Sequence, residues 1–372
     1  MQVRPITAEQ HLAYISTRDA VSFLQTPAWG NVKQQWRPES LGWFQGEELV
    51  GAGLVLLRKV PKMSRYLAYL PEGPDLNWEN SEDVREALAA LVKYGKSIGV
   101  FQFKIGPHAW TRRWSADSLK EAISEGEAKS ITQVNATHTN RAGVELVELL
   151  RNLGWSQNAA DGTGFGDYQP RFVFQLQLAN RTSEELLSNF NQQWRRNIRK
   201  AEKERVAITV GNRESLPAFH DCYTETAVRD KFTPRSLSYF EKMWDVMRQE
   251  APERIAVYVA THPDHEGAVA ATTMTRVGNH AWYSYGASTT AARDLRPSNA
   301  IQWAMISDAL ESGAEVYDMR GISDTLDPQS HLFGLIQFKL GTGGYAQEYV
   351  GEWDFVISPI LAKAFNLYMA RR

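Results

Sequence analysis

The heptapeptide FKLGTGG at 338–344 sets Lys339 just ahead of three closely spaced glycines. A phosphate loop needs the reverse order, G-x-x-x-x-G-K-[ST] running into a helix, so that reading fails on order. No G-x-G-x-x-G lies between a strand and a helix pattern, which leaves dinucleotide binding unsupported. The eight histidines include no H-E-x-x-H, and His262 and His265 in THPDHEG sit in a Pro- and Gly-marked turn, so no metal is expected. A G-x-S-x-G elbow is absent as well, and the chain announces no nucleophile. Acyl transfer in which an amine attacks an activated ester directly needs none: the protein positions both partners and stabilises the oxyanion. Lys339 is the candidate for that stabilising charge, placed at the end of a strand with the glycines in a narrow turn beside a cleft. The competing reading is a solvated lysine at a strand end.

Other cations invite the same weighing. Lys33, in FLQTPAWGNVKQQW, lies four residues after Trp29 and three before Trp36 on a helix expected from Pro27. It could meet a phosphate or lie over the indole of a tryptophan. VRDKFTPRSLSYF supplies Arg229 and Arg235 around a proline turn, and guanidinium suits pyrophosphate better than ammonium. WRRNIRKAEKER, 194–205, holds six basic and two acidic residues, a local charge of 6 − 2 = +4. Arg196, Lys200 and Lys203 share one helical face there, either a grip on nucleic-acid backbone or a solvated surface.

These residues must be positioned by elements the pattern reveals. ELVGAGLVLL leading to RYLAYLPEGP, and EGAVAATTMTRV leading to AWYSYGAS, are each a small-residue strand, a turn and an aromatic strand closing near Gly. That likeness suggests a duplicated α/β unit, with a boundary in the Gly-, Asn- and Asp-rich stretch 157–171. FVFQLQL then alternates as a strand, and 181–205 reads as one helix with a Thr182/Glu185 capping box and a stripe of Leu187, Phe190, Trp194, Ile198 and Ala201. A further helix starts near Pro297, with Ser298 as its cap and Gly313 at its end, and AEVYDM follows as a strand. SPILAKAFNLYMARR closes the chain as an amphipathic helix ending in two arginines, docked on the core or touching a membrane.

With 372 residues the chain is long enough for two domains of the usual ~100–200 residues. A net charge of −2 gives no overall field for nucleic acid or membrane, so such contacts must be local. The single cysteine, Cys222, excludes an internal disulfide framework and fits a buried thiol in a reducing compartment. No apolar run has the length of a signal peptide or a membrane span, and a cytoplasmic location is expected.

Taken in order, FLQTPAWGNVKQQW, YLAYLPEGP, WRRNIRKA, RDKFTPRSLSYF, YSYGAS, SNAIQWAMISDALESGAEVYDMRG and FKLGTGG resemble the Fem family of peptidoglycan interpeptide-bridge enzymes. The resemblance covers nearly the whole chain. It implies an α+β fold of two tandem GNAT-like (acyl-CoA N-acyltransferase-like) domains, the first over 1–165 with 352–372 returning to it and the second over 166–351. No long charged heptad segment is present, so no coiled-coil arm is expected. The implied reaction moves glycine, alanine or serine from aminoacyl-tRNA, as co-substrate and without a cofactor, to the side-chain amine of the third stem-peptide residue. The acceptor is a peptidoglycan precursor, lipid II or UDP-MurNAc-pentapeptide, and a lipid-linked one would bring the protein to the inner face of the membrane. By position, Lys339 matches the family's lysine near the transferred acyl group, Lys33 the lysine that pairs with precursor phosphate, and Tyr285 a cleft tyrosine. Arg229 or Arg235 would be the partner of Lys33, and the basic helix carrying Arg196, Lys200 and Lys203 would meet the tRNA acceptor stem. One element departs from the family pattern: where Asp-Pro is expected in the first domain, the chain reads Gly106-Pro107. Two other readings stay open, an acyl-CoA-dependent N-acyltransferase acting on a small amine and a precursor- or tRNA-binding protein without chemistry.

Overall fold

In a computed structural model, which describes residues 1–157 and 168–370, the chain divides into two compact units. One comprises Met1–Trp114, Asn135–Phe172 and Gln347–Arg372; the other comprises Ser115–Val134 and Val173–Ala346. The boundary expected after 165 falls outside the described residues. Residues 115–134, expected in the first domain, group instead with the second unit.

Both units repeat one path. In the first, the strands Arg37–Gln45, Glu48–Lys59 and Tyr66–Leu70 form an antiparallel meander, and the helix Ser81–Ile98 carries the chain to Val100–Ile105. That strand lies parallel to Tyr66–Leu70, and Trp353–Val356 adds antiparallel on its far side. The second unit repeats the order with Ile255–Thr261, Ala268–Val277 and His280–Ser288, then the helix Pro297–Glu311 and the parallel strand Val316–Gly321. Residues 173–177 pair antiparallel with that last strand. A helical crossover between two parallel neighbours is what a right-twisted sheet favours, and it leaves the carboxyl ends of those strands open to a ligand.

The sequence shows why each core forms. Val84, Ala87, Leu88 and Leu91 of Ser81–Ile98 recur at helical spacing and are buried with Trp43, Phe103 and Trp353. Asn80 caps that helix and Gly99, at φ +84°, ends it in the left-handed conformation that glycine adopts without strain. In the helix Pro359–Ala370, Ala362 and Phe365 are buried with Phe101 of the first unit. Its two arginines lie outside the described residues. Cys222 is buried, and burial pushes its thiol up to about 12. No helix among the described residues is long and apolar enough to cross a membrane.

Four local expectations are corrected. The helix read over 181–205 is two helices, Ser183–Asn189 and Gln192–Lys203; Phe190 turns extended at ψ 141° and Asn191 caps the second through Trp194 N–H. Thr182 and Glu185 do form the capping box, but Leu186 rather than Leu187 is the buried leucine. Ser298 does not cap Pro297–Glu311: its N-cap is Arg296, at φ +60°, whose carbonyl accepts from the Asn299 and Ala300 N–H groups, and no side chain caps the helix. Finally, Lys339 lies on a helix, Phe333–Leu340, and not on a strand.

Candidate functional site

In the second unit the parallel pair is registered only over His280–Trp282 against Val316–Asp318. Beyond it a bulge at Thr273/Met274 deflects the hairpin, and among the described residues the stretch from Tyr283 to Ser288 has no strand partner on that side. A cleft of about 430 Å³ opens there, lined by Tyr283, Gly286 and Ser288 of the strand and by Arg296, Ser298 and Asn299 at the start of the following helix. Burial pushes the Tyr283 hydroxyl up to about 12. A second cleft, of about 470 Å³, is lined by Lys120, Trp194, Gln337 and Gly341. Asn197, Asn299, Gly334 and Phe338 line both.

Lys339 lies under this region and lines neither cleft. Its ammonium is buried and donates to the carbonyls of Met319 (2.7 Å), Arg320 (3.2 Å) and Gly321 (2.7 Å). All three N–H bonds are thus committed to the end of the strand Val316–Gly321, where Arg320 sits at φ +62°. Burial pushes the Lys339 ammonium down to about 7, the Asp318 carboxylate opposes that fall, and the Arg320 charge adds to it. Burial would raise Asp318 itself, yet His280 (3.7 Å), the Arg320 charge and Gln175 (2.8 Å) hold its carboxyl below the usual range. Lys339 therefore braces a strained strand end against its helix, and any effect on a ligand passes through residues 319–321.

The three glycines of FKLGTGG have separate reasons. A Cβ at Gly341 would come within 2.2 Å of Trp194 Cδ1, and one at Gly344 within 2.2 Å of the Gln175 carbonyl oxygen. Gly343 holds φ +73°. Because Gly341 is bare, Trp194 can donate from Nε1 to the Phe338 carbonyl (2.7 Å) and place its ring 4.5 Å from the Phe338 ring, forming one cleft wall.

Arg235 and Tyr285 come together, whereas Arg229 is placed elsewhere. Arg235 lies over the Tyr239 ring (4.6 Å), and the Tyr239 hydroxyl is 3.3 Å from that of Tyr285. Burial would lower the Arg235 pKa, and the neighbouring tyrosines Tyr285, Tyr239 and Tyr223 raise it. Arg229 lines the first cleft, but its guanidinium is held by Asp230 (2.9 and 3.2 Å) and the Ser288 carbonyl (2.7 Å). Arg196, Lys200 and Lys203 are all exposed on Gln192–Lys203.

In the first unit Lys33 follows the helix Pro27–Val32 as its C-cap, and its ammonium lies 4.3 Å from the Trp29 ring centroid. The arrangement is a lysine stem and head laid over an indole. Trp36 instead packs on Tyr69 (6.1 Å). Near Gly106 a buried polar group gathers that motif reasoning missed. Tyr69 donates to Glu352 (2.5 Å), whose other oxygen accepts from Tyr168 N–H (2.8 Å). Burial, then the Glu352 charge, pushes the Tyr69 hydroxyl well above its usual range. Lys104 and Gln102 both donate to Asp354 (3.0 and 2.9 Å). A Cβ at Gly106 would lie 3.6 Å from Glu352 Cγ, so the Glu352 side chain, just ahead of the strand Trp353–Val356, stands beside the position where Asp-Pro is expected. Glu352 and Asp354, two apart in the aromatic stretch EWDF, were the available signal. Among the described residues no cluster of His, Cys, Asp and Glu suited to a metal forms.

Two meanders, each followed by a helix and a parallel strand, with the parallel pair of the second unit registered over three residues only, define the tandem GNAT-like class. A solved tandem GNAT protein from the clavulanic acid biosynthesis pathway superposes with a TM-score of 0.55 at 10% identity, over 96% of this chain and 99% of that one. The crystal structure of FemX matches with a TM-score of 0.79 at 20% identity, over 98% of this chain and 99% of that one. The chain belongs to the FemAB family, whose model matches residues 6–261 and 253–369. It is similar to the lipid II:glycine glycyltransferases of Staphylococcus epidermidis (24% identical) and Staphylococcus aureus (23%), over 96% of this chain and 93% of each relative.

Proposed function

We propose that the protein is an aminoacyltransferase that moves an amino acid, glycine before alanine or serine, from aminoacyl-tRNA to the stem-peptide amine of lipid II. The observation that carries this reading is the match to lipid II:glycine glycyltransferases over 96% of the chain, which takes in both units. In the reaction the neutral amine attacks the ester carbonyl carbon, the bond from that carbon to the ribose oxygen breaks, and the proton lost by the amine ends on the ribose oxygen. No covalent enzyme intermediate is required, in keeping with a chain that offers no activated nucleophile.

Each unit then has its own work. In the first, Lys33 offers a cation for precursor phosphate, and Glu352, hydrogen-bonded by Tyr69, is the carboxylate nearest the bare Gly106 position. In the second, Arg235 and Tyr285 present a polar wall for the precursor, the exposed face of Arg196, Lys200 and Lys203 meets the RNA, and Lys339 fixes the backbone at 319–321. The likeness to a tandem GNAT protein keeps an acyl-CoA donor as the second reading.

The deciding assay offers labelled glycyl-, alanyl- and seryl-tRNA with lipid II and with UDP-MurNAc-pentapeptide, beside RNase-treated controls and acetyl-CoA. RNase-sensitive labelling of lipid II is expected. Label transferred from acetyl-CoA with no RNA requirement would replace this reading with the acyl-CoA one, and binding of precursor without any transfer would make the protein a binding module.

A further inference from the structure

The helix Pro359–Ala370 is apolar on two opposite faces. Ala362 and Phe365 are buried with Phe101 of the sheet, and Leu361 and Tyr368 pack beside them. On the other side Ile360, Ala364 and Leu367 follow one another at helical spacing, which sets them in a single exposed stripe. Ile360 is 82% exposed and Leu367 53% exposed. A helix that is apolar all round belongs between two apolar surroundings, and among the described residues of its unit only one is supplied.

The tip of the hairpin between Glu48–Lys59 and Tyr66–Leu70 continues that surface. Val60 and Leu67 pack into the same cluster as Phe101 and Phe365, and Met63 at the tip is 44% exposed. The charges around these apolar residues are of one sign. Lys59, Lys62 and Arg65 of the tip and Lys363 of the helix are exposed. So is Lys96, one turn before Gly99, and a Cβ at Gly99 would lie 3.2 Å from the Arg65 guanidinium. Among the described residues none of these five cations is in an ion pair. The stretches 58–65, 91–99 and 356–370 hold no Asp or Glu. A second copy docked face to face would set these cations against their own counterparts. Nucleic acid would meet the charge and leave Ile360 and Leu367 in water, whereas an anionic lipid surface meets both.

We propose that the outer face of Pro359–Ala370 and the hairpin tip at 59–65 form a peripheral docking surface for an anionic lipid bilayer. Ile360, Leu367 and Met63 enter the headgroup boundary, and Lys62, Arg65 and Lys363 hold lipid phosphate around them. Attachment of this kind scales with buried apolar area plus attraction to anionic headgroups, and this face supplies both contributions. The use of the surface rests on the proposed function: lipid II is itself held in the bilayer, and docking confines the search for it to that surface, which raises its effective concentration.

The test measures co-sedimentation of the full chain with vesicles of phosphatidylglycerol and phosphatidylcholine in equal parts, and with vesicles of phosphatidylcholine alone. Two variants separate the contributions: Ile360→Gln with Leu367→Gln, and Lys62→Asn with Arg65→Gln and Lys363→Gln, where Asn suits the positive φ at 62. Thermal unfolding of each variant establishes that it is folded. Wild type should bind the anionic vesicles at least about tenfold more tightly than the neutral ones. Each cation near such a surface contributes roughly fivefold, so the triple change should weaken binding on the order of a hundredfold at low salt. The apolar pair should weaken it about tenfold and leave its salt dependence as it is. Transfer to lipid II in neutral detergent micelles should be the same in both variants as in wild type, and transfer to lipid II embedded in the anionic vesicles should fall. Equal binding to the two kinds of vesicle, or folded variants that bind as wild type does, would overturn the surface. So would a dimer in sedimentation equilibrium that the apolar pair dissociates while vesicle binding is untouched. Vesicle binding as expected, with no transfer from any aminoacyl-tRNA, would uphold the surface and overturn the proposed function. Transfer to vesicle-embedded lipid II that the variants perform as fast as wild type would do the reverse.

Discussion

Lys339 shows how a residue picked for its chemistry can act through structure. A solvent-facing lysine would keep some of its donors for a ligand, whereas this one spends all three on carbonyls of residues 319–321. Lys339→Met keeps the bulk of the stem and strands those acceptors beside the Asp318 charge. Leaving buried acceptors without their donor costs about 1–3 kcal/mol. We therefore expect Lys339→Met to lower Tm by several degrees as well as to reduce turnover, with calorimetry and transfer rate measured on the same preparation. Loss of turnover at an unchanged Tm would instead put the lysine in contact with the reacting groups. His11 carries a pH effect whose sign is clear. Burial holds its ring at about 4, against 6.5 for an unperturbed histidine, and its Nδ1 lies 2.8 Å from Ser40 Oγ. Between those values the unfolded chain binds the proton and the folded chain does not, so stability is full above 6.5 and falls as pH drops toward 4. The loss attributable to this ring is about 3 kcal/mol. Urea unfolding at pH 7 and pH 4.5 should show it in wild type and show a smaller loss in His11→Gln.

At the scale of elements, what the sequence made legible was pattern with punctuation. The helix Pro297–Glu311, the hairpins and the Thr182/Glu185 capping box all carry residues whose local preference agrees with their tertiary place. Two misreadings have identifiable causes. The stripe Phe190, Trp194, Ala201 runs on across the break at 190–191, so periodicity hid an N-cap asparagine that was in plain view. FGLIQFKL is a short apolar run without a clear period, and such runs do not distinguish a buried helix from a strand. The buried polar pairs Tyr69–Glu352 and Lys104–Asp354 were illegible because each joins residues about 250 or more apart in sequence, as the separations of 283 and 250 show. Gly341 ties two of these elements together. Gly341→Ala would drive a methyl into Trp194, and relieving such a clash costs roughly 1–3 kcal/mol. The expected result is a lower Tm together with a changed Trp emission spectrum; an unaltered spectrum and Tm would mean the indole has room that the contact denies.

At the scale of the whole molecule the charge distribution decides how RNA can be met. A net charge of −2 supplies no long-range attraction to a polyanion, so encounter depends on patches, and repulsion elsewhere on the surface must be outweighed within about a Debye length of 8–10 Å. The patch at 194–205 concentrates +4 in twelve residues, and Arg196, Lys200 and Lys203 expose their charge on one helix whose buried face, Trp194 and Ala201, is locked to the core. Removing them should therefore leave the fold intact and subtract counterion release alone. For Arg196→Ala with Lys200→Ala and Lys203→Ala, the slope of log K against log salt for a tRNA acceptor-stem hairpin should fall in magnitude by about 2–3. Binding at low salt should weaken at least tenfold, and the difference from wild type should close as salt rises. A triple variant with an unchanged slope would show that this face is solvated surface and that the RNA is held elsewhere.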